Sequence, residues 1–105
     1  GYYDTLRVLK HYDGYKFTFY CSRDWYINYI TRKVSKRTVN RLKTLFKTTN
    51  LKEIVIKSLE YTMVREGYNY YQVYNIVLVI RKLQKQIKKN TNNLVYKFIL
   101  NLRII

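Results

Sequence analysis

Residues 24–48 read DWYINYITRKVSKRTVNRLKTLFKT, and their apolar positions recur with the period of a helix. Projected at about 100° per residue, Ile27, Ile30, Val34, Leu42 and Leu45 fall within about 60° of one line, while Arg32, Lys33, Lys36, Lys43 and Lys47 gather opposite. The spacing predicts one long helix over this stretch, with an apolar seam on one side and a basic back on the other.

Helical spacing continues downstream. Leu51, Ile54, Val55, Leu59 and Met63 supply an i, i+3, i+4 pattern over residues 51–65. Glu66-Gly67 then closes that helix, because glycine tolerates the left-handed position just past a helix end. Asn69 is placed to cap a further helix carrying Val73, Ile76, Val77, Ile80, Leu83 and Ile87, which Asn90-Thr91-Asn92-Asn93 breaks. Leu94 to Ile105 predict a last short helix. Upstream, Gly14 interrupts the head, and Lys16-Phe17-Thr18-Phe19-Tyr20 alternates weakly, so a strand over Tyr15 to Tyr20 is the alternative reading there. The expected fold class is all-α: an extended basic N-terminal segment and a long helix, followed by a small helical C-terminal domain.

Charge narrows the function. The chain has 105 residues, with 21 Lys+Arg against 6 Asp+Glu, a formal net charge of +15 and 48% hydrophobic residues. That apolar share argues against a purely disordered basic tail, and the charge would make a small compact domain repel itself unless a polyanion surrounded it. No acidic residue lies between Asp24 and Glu53, and none follows Glu66. Soluble helices ordinarily pair Lys with Glu one turn away, so two long stretches without acids point to nucleic acid. The expected RNA contacts are Arg7, Lys10, Tyr12, Tyr15, Lys16 and Arg23 in the head; Arg32, Lys33, Lys36, Arg37, Lys43, Lys47 and Lys52 in the middle; and Lys85, Lys88 and Lys89 further on. Among the 13 tyrosines, Tyr2, Tyr3, Tyr12 and Tyr15 are candidates to stack on unpaired bases, whereas Tyr29, Tyr61 and Tyr70 are expected to fill the core.

Catalysis has little to work with. Glu53 and Glu60 could share a helix face, but that spacing favours bonds to Lys57 over an acid–base pair. Cys21 and His11 flank Gly14 without an orienting acid or oxyanion motif, and Cys21 reads as a buried or incidental thiol. One Cys and one His exclude an intramolecular disulfide and a multi-cysteine zinc site. The longest apolar run, Ile76 to Ile80, is far short of a membrane span. The chain is therefore expected to be no enzyme, to need no cofactor or metal, and to have no small-molecule substrate and no transmembrane segment.

Four blocks carry a family resemblance. Val8-Leu9-Lys10-His11-Tyr12-Asp13-Gly14-Tyr15 resembles the I-L-K-x-x-x-G-Y stretch of the bacterial-type large-subunit ribosomal protein L twenty family. Leu51-Lys52-Glu53-Ile54-Val55-Ile56 is similar to its F-R-x-L-W-I, and Gly67-Tyr68-Asn69-Tyr70 with Asn75 to its G-I-S-Y and late Asn. Leu83-Gln84-Lys85-Gln86-Ile87 is similar to its L-D-R-K-x-L. The middle stretch departs from the family, with Val39-Asn40-Arg41-Leu42-Lys43 in place of a Y-R-D-R-R run. The resemblance implies a rRNA-threading head and long basic helix over residues 1–50 and a small helical globular domain over 51–105. It also implies a structural constituent of the large ribosomal subunit, partnered by large-subunit rRNA and neighbouring ribosomal proteins and active in assembly. The absence of Ala and the surplus of Tyr suggest a mitochondrial ribosome, with a plastid or a low-GC bacterial cytoplasm as alternatives. A different class, a basic helical adaptor on an anionic membrane surface or partner, is the competing reading. Trp25 and Phe46 argue against it, since both fall near the ends of the predicted helix and off the centre of its apolar face.

Overall fold

Residues 24–48 form two helices, α1 (Asp24–Ile30) and α2 (Lys36–Phe46), in the computed structural model, which describes Tyr2, Thr5 and residues 12–104. The expectation of one long helix is corrected here, and side-chain competition for the backbone explains the break. The Thr31 hydroxyl donates back to the Ile27 carbonyl at 2.8 Å and closes α1. Ser35 sits in extended conformation and its hydroxyl oxygen accepts the Thr38 N–H at 3.2 Å, which starts α2 as a new helix. Ser and Thr offer the backbone such alternatives to a continuous ladder, and they are favoured where a helix begins or ends. Only Arg32, Lys33 and Val34 separate the two capping residues.

The same chemistry recurs at each later helix. Asn50 accepts the Glu53 N–H and begins α3 (Leu51–Arg65). This helix ends at Glu66, with Gly67 at φ +75°, as the sequence predicts. Asn75, not Asn69, caps α4 (Ile76–Gln86), its side-chain oxygen accepting from Val77 and Leu78. Asn93 does the same for α5 (Leu94–Leu100).

The fold is mostly helical but not purely so. β1 (Tyr12–Asp13) runs antiparallel to β2 (Thr18–Tyr20), with Tyr12 opposite Tyr20, and β2 runs parallel to β3 (Val73–Tyr74), with Phe19 opposite Tyr74. The strand alternative is thus realised in Thr18–Tyr20. Val73 and Tyr74 join this sheet, which is why the following helix begins six residues later than Asn69 suggests. Gly14 makes the turn into β2 at φ +122°, and a Cβ there would collide with the Phe17 carbonyl oxygen.

α3 is the hub. It touches α1, α2, α4 and α5, and it buries Ile54, Val55, Ile56, Leu59 and Met63 around much of its circumference, as a helix surrounded by others must. The buried apolar residues from Phe17 to Leu102 form one cluster. Glu60, 3% exposed, faces the turn after Gly14. Its Oε2 accepts the backbone N–H groups of Tyr15 at 2.9 Å, Lys16 at 2.6 Å and Phe17 at 2.7 Å, a nest of amides that compensates the buried carboxylate. The C-terminal segment returns to α1: the Arg103 N–H donates to the Ile30 carbonyl at 2.9 Å, and the Gln84 side-chain amide donates to Ile99 and Leu102 carbonyls.

Candidate nucleic-acid interface

α2 is divided cleanly between two faces. Leu42 is fully buried, and Val39 and Phe46 pack against the core beside Val34 of the turn. On the other side Lys36, Arg37, Asn40, Arg41 and Thr44 are all exposed, at positions that share one helix face at 100° per residue. Arg32 and Lys33 extend this surface into the turn, and Lys47 continues it past the helix end, where it takes a left-handed conformation at φ +54°. Lys43 is half-buried on the flank. Leu45, expected in the apolar seam, is 55% exposed at the edge.

Three carboxylates, those of Asp13, Glu53 and Glu60, are occupied elsewhere. Asp13 holds Lys52 at 3.0 Å and accepts the Ser22 N–H. Glu53 holds Lys57 at 2.8 Å and the Thr48 hydroxyl at 2.9 Å, and these bonds, Lys57 first, lower its carboxyl below the ordinary range. Glu60 is committed to the backbone amides. The expectation that Glu53 bonds to Lys57 therefore holds, whereas Glu60 takes a partner that helical spacing cannot show. Among the described residues, none of Arg32, Lys33, Lys36, Arg37, Arg41, Lys43 and Lys47 pairs with a carboxylate.

The other expected contacts are distributed differently. Arg7, Lys10, Tyr3 and His11 lie outside the described residues. Tyr12 stands in β1 with its ring 5.8 Å from that of Tyr20. Tyr15 is exposed, with the Lys57 ammonium 5.1 Å from its ring centre, and local desolvation followed by Glu53 raises its phenol. Lys16 is exposed beside it, and Arg23 occupies the position before α1. Lys52 is a clamp: besides Asp13 it donates to the Ser22 carbonyl at 2.8 Å, joining α3 to the head. Lys85, Lys88 and Lys89 form a second exposed basic group at the end of α4, and Lys85 and Lys89 line a hollow with Arg81 and Leu100. Of the tyrosines expected in the core, Tyr29 and Tyr61 pack against it, while Tyr70 is exposed and stacks on Phe17 at 4.5 Å.

Asn40, Arg41 and Thr44 were not among the contacts the sequence singled out. Reading residues 24–48 as one helix placed the basic back about Arg32, Lys36 and Lys43; once Ser35 restarts the helix, Asn40 and Thr44 fall at the centre of the exposed face. The signal that could have found them was the Ser35-x-x-Thr38 cap.

The chemistry available to this surface is charge and hydrogen bonding. Among the described residues no group of three or more His, Cys, Asp or Glu is placed to hold a metal ion, and no helix is long and apolar enough to cross a membrane. Cys21 is exposed, contrary to the buried alternative, and local desolvation and then Asp13 raise its thiol, which favours the protonated form. No family model, curated protein or solved structure matches the chain.

Proposed function

We propose that this protein binds nucleic acid by laying the exposed face of α2 and the preceding turn along phosphate groups. The observation that carries the reading is the set of seven cations from Arg32 to Lys47 without a carboxylate partner among the described residues. Such cations release condensed counterions when they meet a phosphate backbone, a favourable term that grows with each contact. Large-subunit rRNA, with a role in mitochondrial ribosome assembly, draws its support from the four sequence blocks; α2 supports the broader class through its charge. Co-sedimentation with large ribosomal subunits tests that narrower reading.

The test of the class is a salt titration of binding to a generic 20-base-pair duplex and to a single strand, followed by fluorescence anisotropy. The log of the association constant should fall linearly with log salt, by about 0.9 per phosphate contacted on duplex DNA. Replacing Lys36, Arg37 and Arg41 together by Gln should flatten that slope by about 2 to 3. A salt-independent profile, or tighter binding to anionic vesicles than to either nucleic acid, would overturn the proposal in favour of the adaptor reading.

A further inference from the structure

Resting on the nucleic-acid reading, we infer that α1, its turn and α2 are a helix-turn-helix unit that sets α2 into the major groove of duplex DNA, with Arg37, Asn40, Arg41 and Thr44 toward the base edges. Three observations converge. The connection is short and doubly capped, with Thr31 closing α1, Ser35 opening α2 and residues 31–35 joining the helices, close to the length such a turn has. Both helices pack on α3, and the Arg103 N–H bond to the Ile30 carbonyl fixes the end of α1 at the point where the turn departs. The unit is thus held rigid from behind while α2 presents one face outward.

The composition of that face carries the choice of ligand. A surface serving charge alone would have cations, Arg or Lys, at its centre. Here the centre of the face is Asn40 and Thr44, with Arg37 and Arg41 on one flank and Lys36 at the N-terminal end. Arg matches the two acceptors of guanine, Asn matches the acceptor and donor of adenine, and Thr can bond a base or touch the thymine methyl. Arg32, Lys33 and Lys47 lie beyond the two ends of α2, where they can meet the phosphates bordering the groove. The dimensions agree: a helix with its side chains is about 10–12 Å across and the major groove of B-DNA about 12 Å wide. The deep, narrow major groove of an A-form RNA duplex does not admit such a face. The shape of the groove thus favours duplex DNA over an RNA duplex.

Selection of binding sites from a random duplex DNA pool by the whole chain, followed by anisotropy on the enriched duplex, a scrambled duplex and the RNA duplex of the enriched sequence, decides the matter. The enriched duplex should bind at least tenfold more tightly than the other two. Asn40→Ala, at an exposed position, should lower affinity for the enriched duplex about 5- to 150-fold and leave the scrambled one nearly unchanged, whereas Arg37→Ala, which also removes a cation, should lower affinity for the enriched duplex by a similar factor and for the scrambled one by less. Lys33→Gln should weaken all duplexes alike and reduce the salt slope by about 1. Circular dichroism of each variant separates these losses from unfolding. Equal binding to DNA and RNA duplexes, no enriched sequence, or sequence preference surviving in both Asn40→Ala and Arg37→Ala would overturn the inference while salt-dependent binding kept the proposed function. Failure to bind any nucleic acid would overturn both.

Discussion

Gly14 and Gly67 both adopt positive φ, yet a methyl group would meet very different surroundings at the two. At Gly14 the Cβ would collide with the Phe17 carbonyl, whereas at Gly67 nothing lies within 4 Å. Gly14→Ala should therefore cost more than the roughly 1 kcal/mol of left-handed strain expected of Gly67→Ala, and urea denaturation of the two variants checks the ranking. Glu60→Gln should lower stability by roughly 1.5–3 kcal/mol in the same assay, because three backbone donors lose a charged acceptor. Glu53 has a pH signature. Its folded carboxyl titrates below the ordinary range, so its contribution is present above the unfolded value and disappears as pH falls through the folded one. The difference in urea midpoint between wild type and Glu53→Gln should shrink from pH 7 toward pH 3.

At the scale of elements, helix starts decide what faces outward. Ser35→Ala removes the oxygen that accepts the Thr38 N–H and should cost about 1 kcal/mol, read by thermal unfolding, with weaker binding because the start of α2 is then less fixed. Leu42→Ala should cost about 2–5 kcal/mol, since a fully buried side chain is cut back. Local signals made much of this legible beforehand. The period over residues 51–65 and the glycine at 67 predict α3 and its end, because those preferences act within one or two turns of chain. Thr31 and Ser35 were equally local, but a strong apolar period across residues 24–48 masked their competing hydrogen bonds. The pairing of β2 with β3 left no local trace: the two residues of β3 carry no period, and Phe19 meets Tyr74 across about half the chain. Glu60 belongs with them, since its partners lie more than forty residues away.

For the molecule as a whole, +15 on a fold with one apolar cluster sets stability against self-repulsion. Added salt should raise the melting temperature, and a bound polyanion should raise it further at equal ionic strength, by mass action on the folded state. The basic composition was legible in full. What it could not show is that Asp13, Glu53 and Glu60 are committed to Lys52, Lys57 and the amides after Gly14, while the cations of α2 have no carboxylate partner among the described residues. The bond from Arg103 to Ile30 has a consequence for biogenesis. During synthesis Ile30 leaves the ribosome about 70 residues ahead of its partner, an interval of roughly 4–14 s at ordinary elongation rates. Through that interval α1 lacks its anchor while α2 is already translated, so the emerging chain exposes its cations before the frame that orients them exists. On the proposed function, premature capture by nearby RNA is the hazard this order of events creates, and a ribosome-bound nascent chain ending before residue 103 should bind polyanions without the sequence preference inferred for the finished fold.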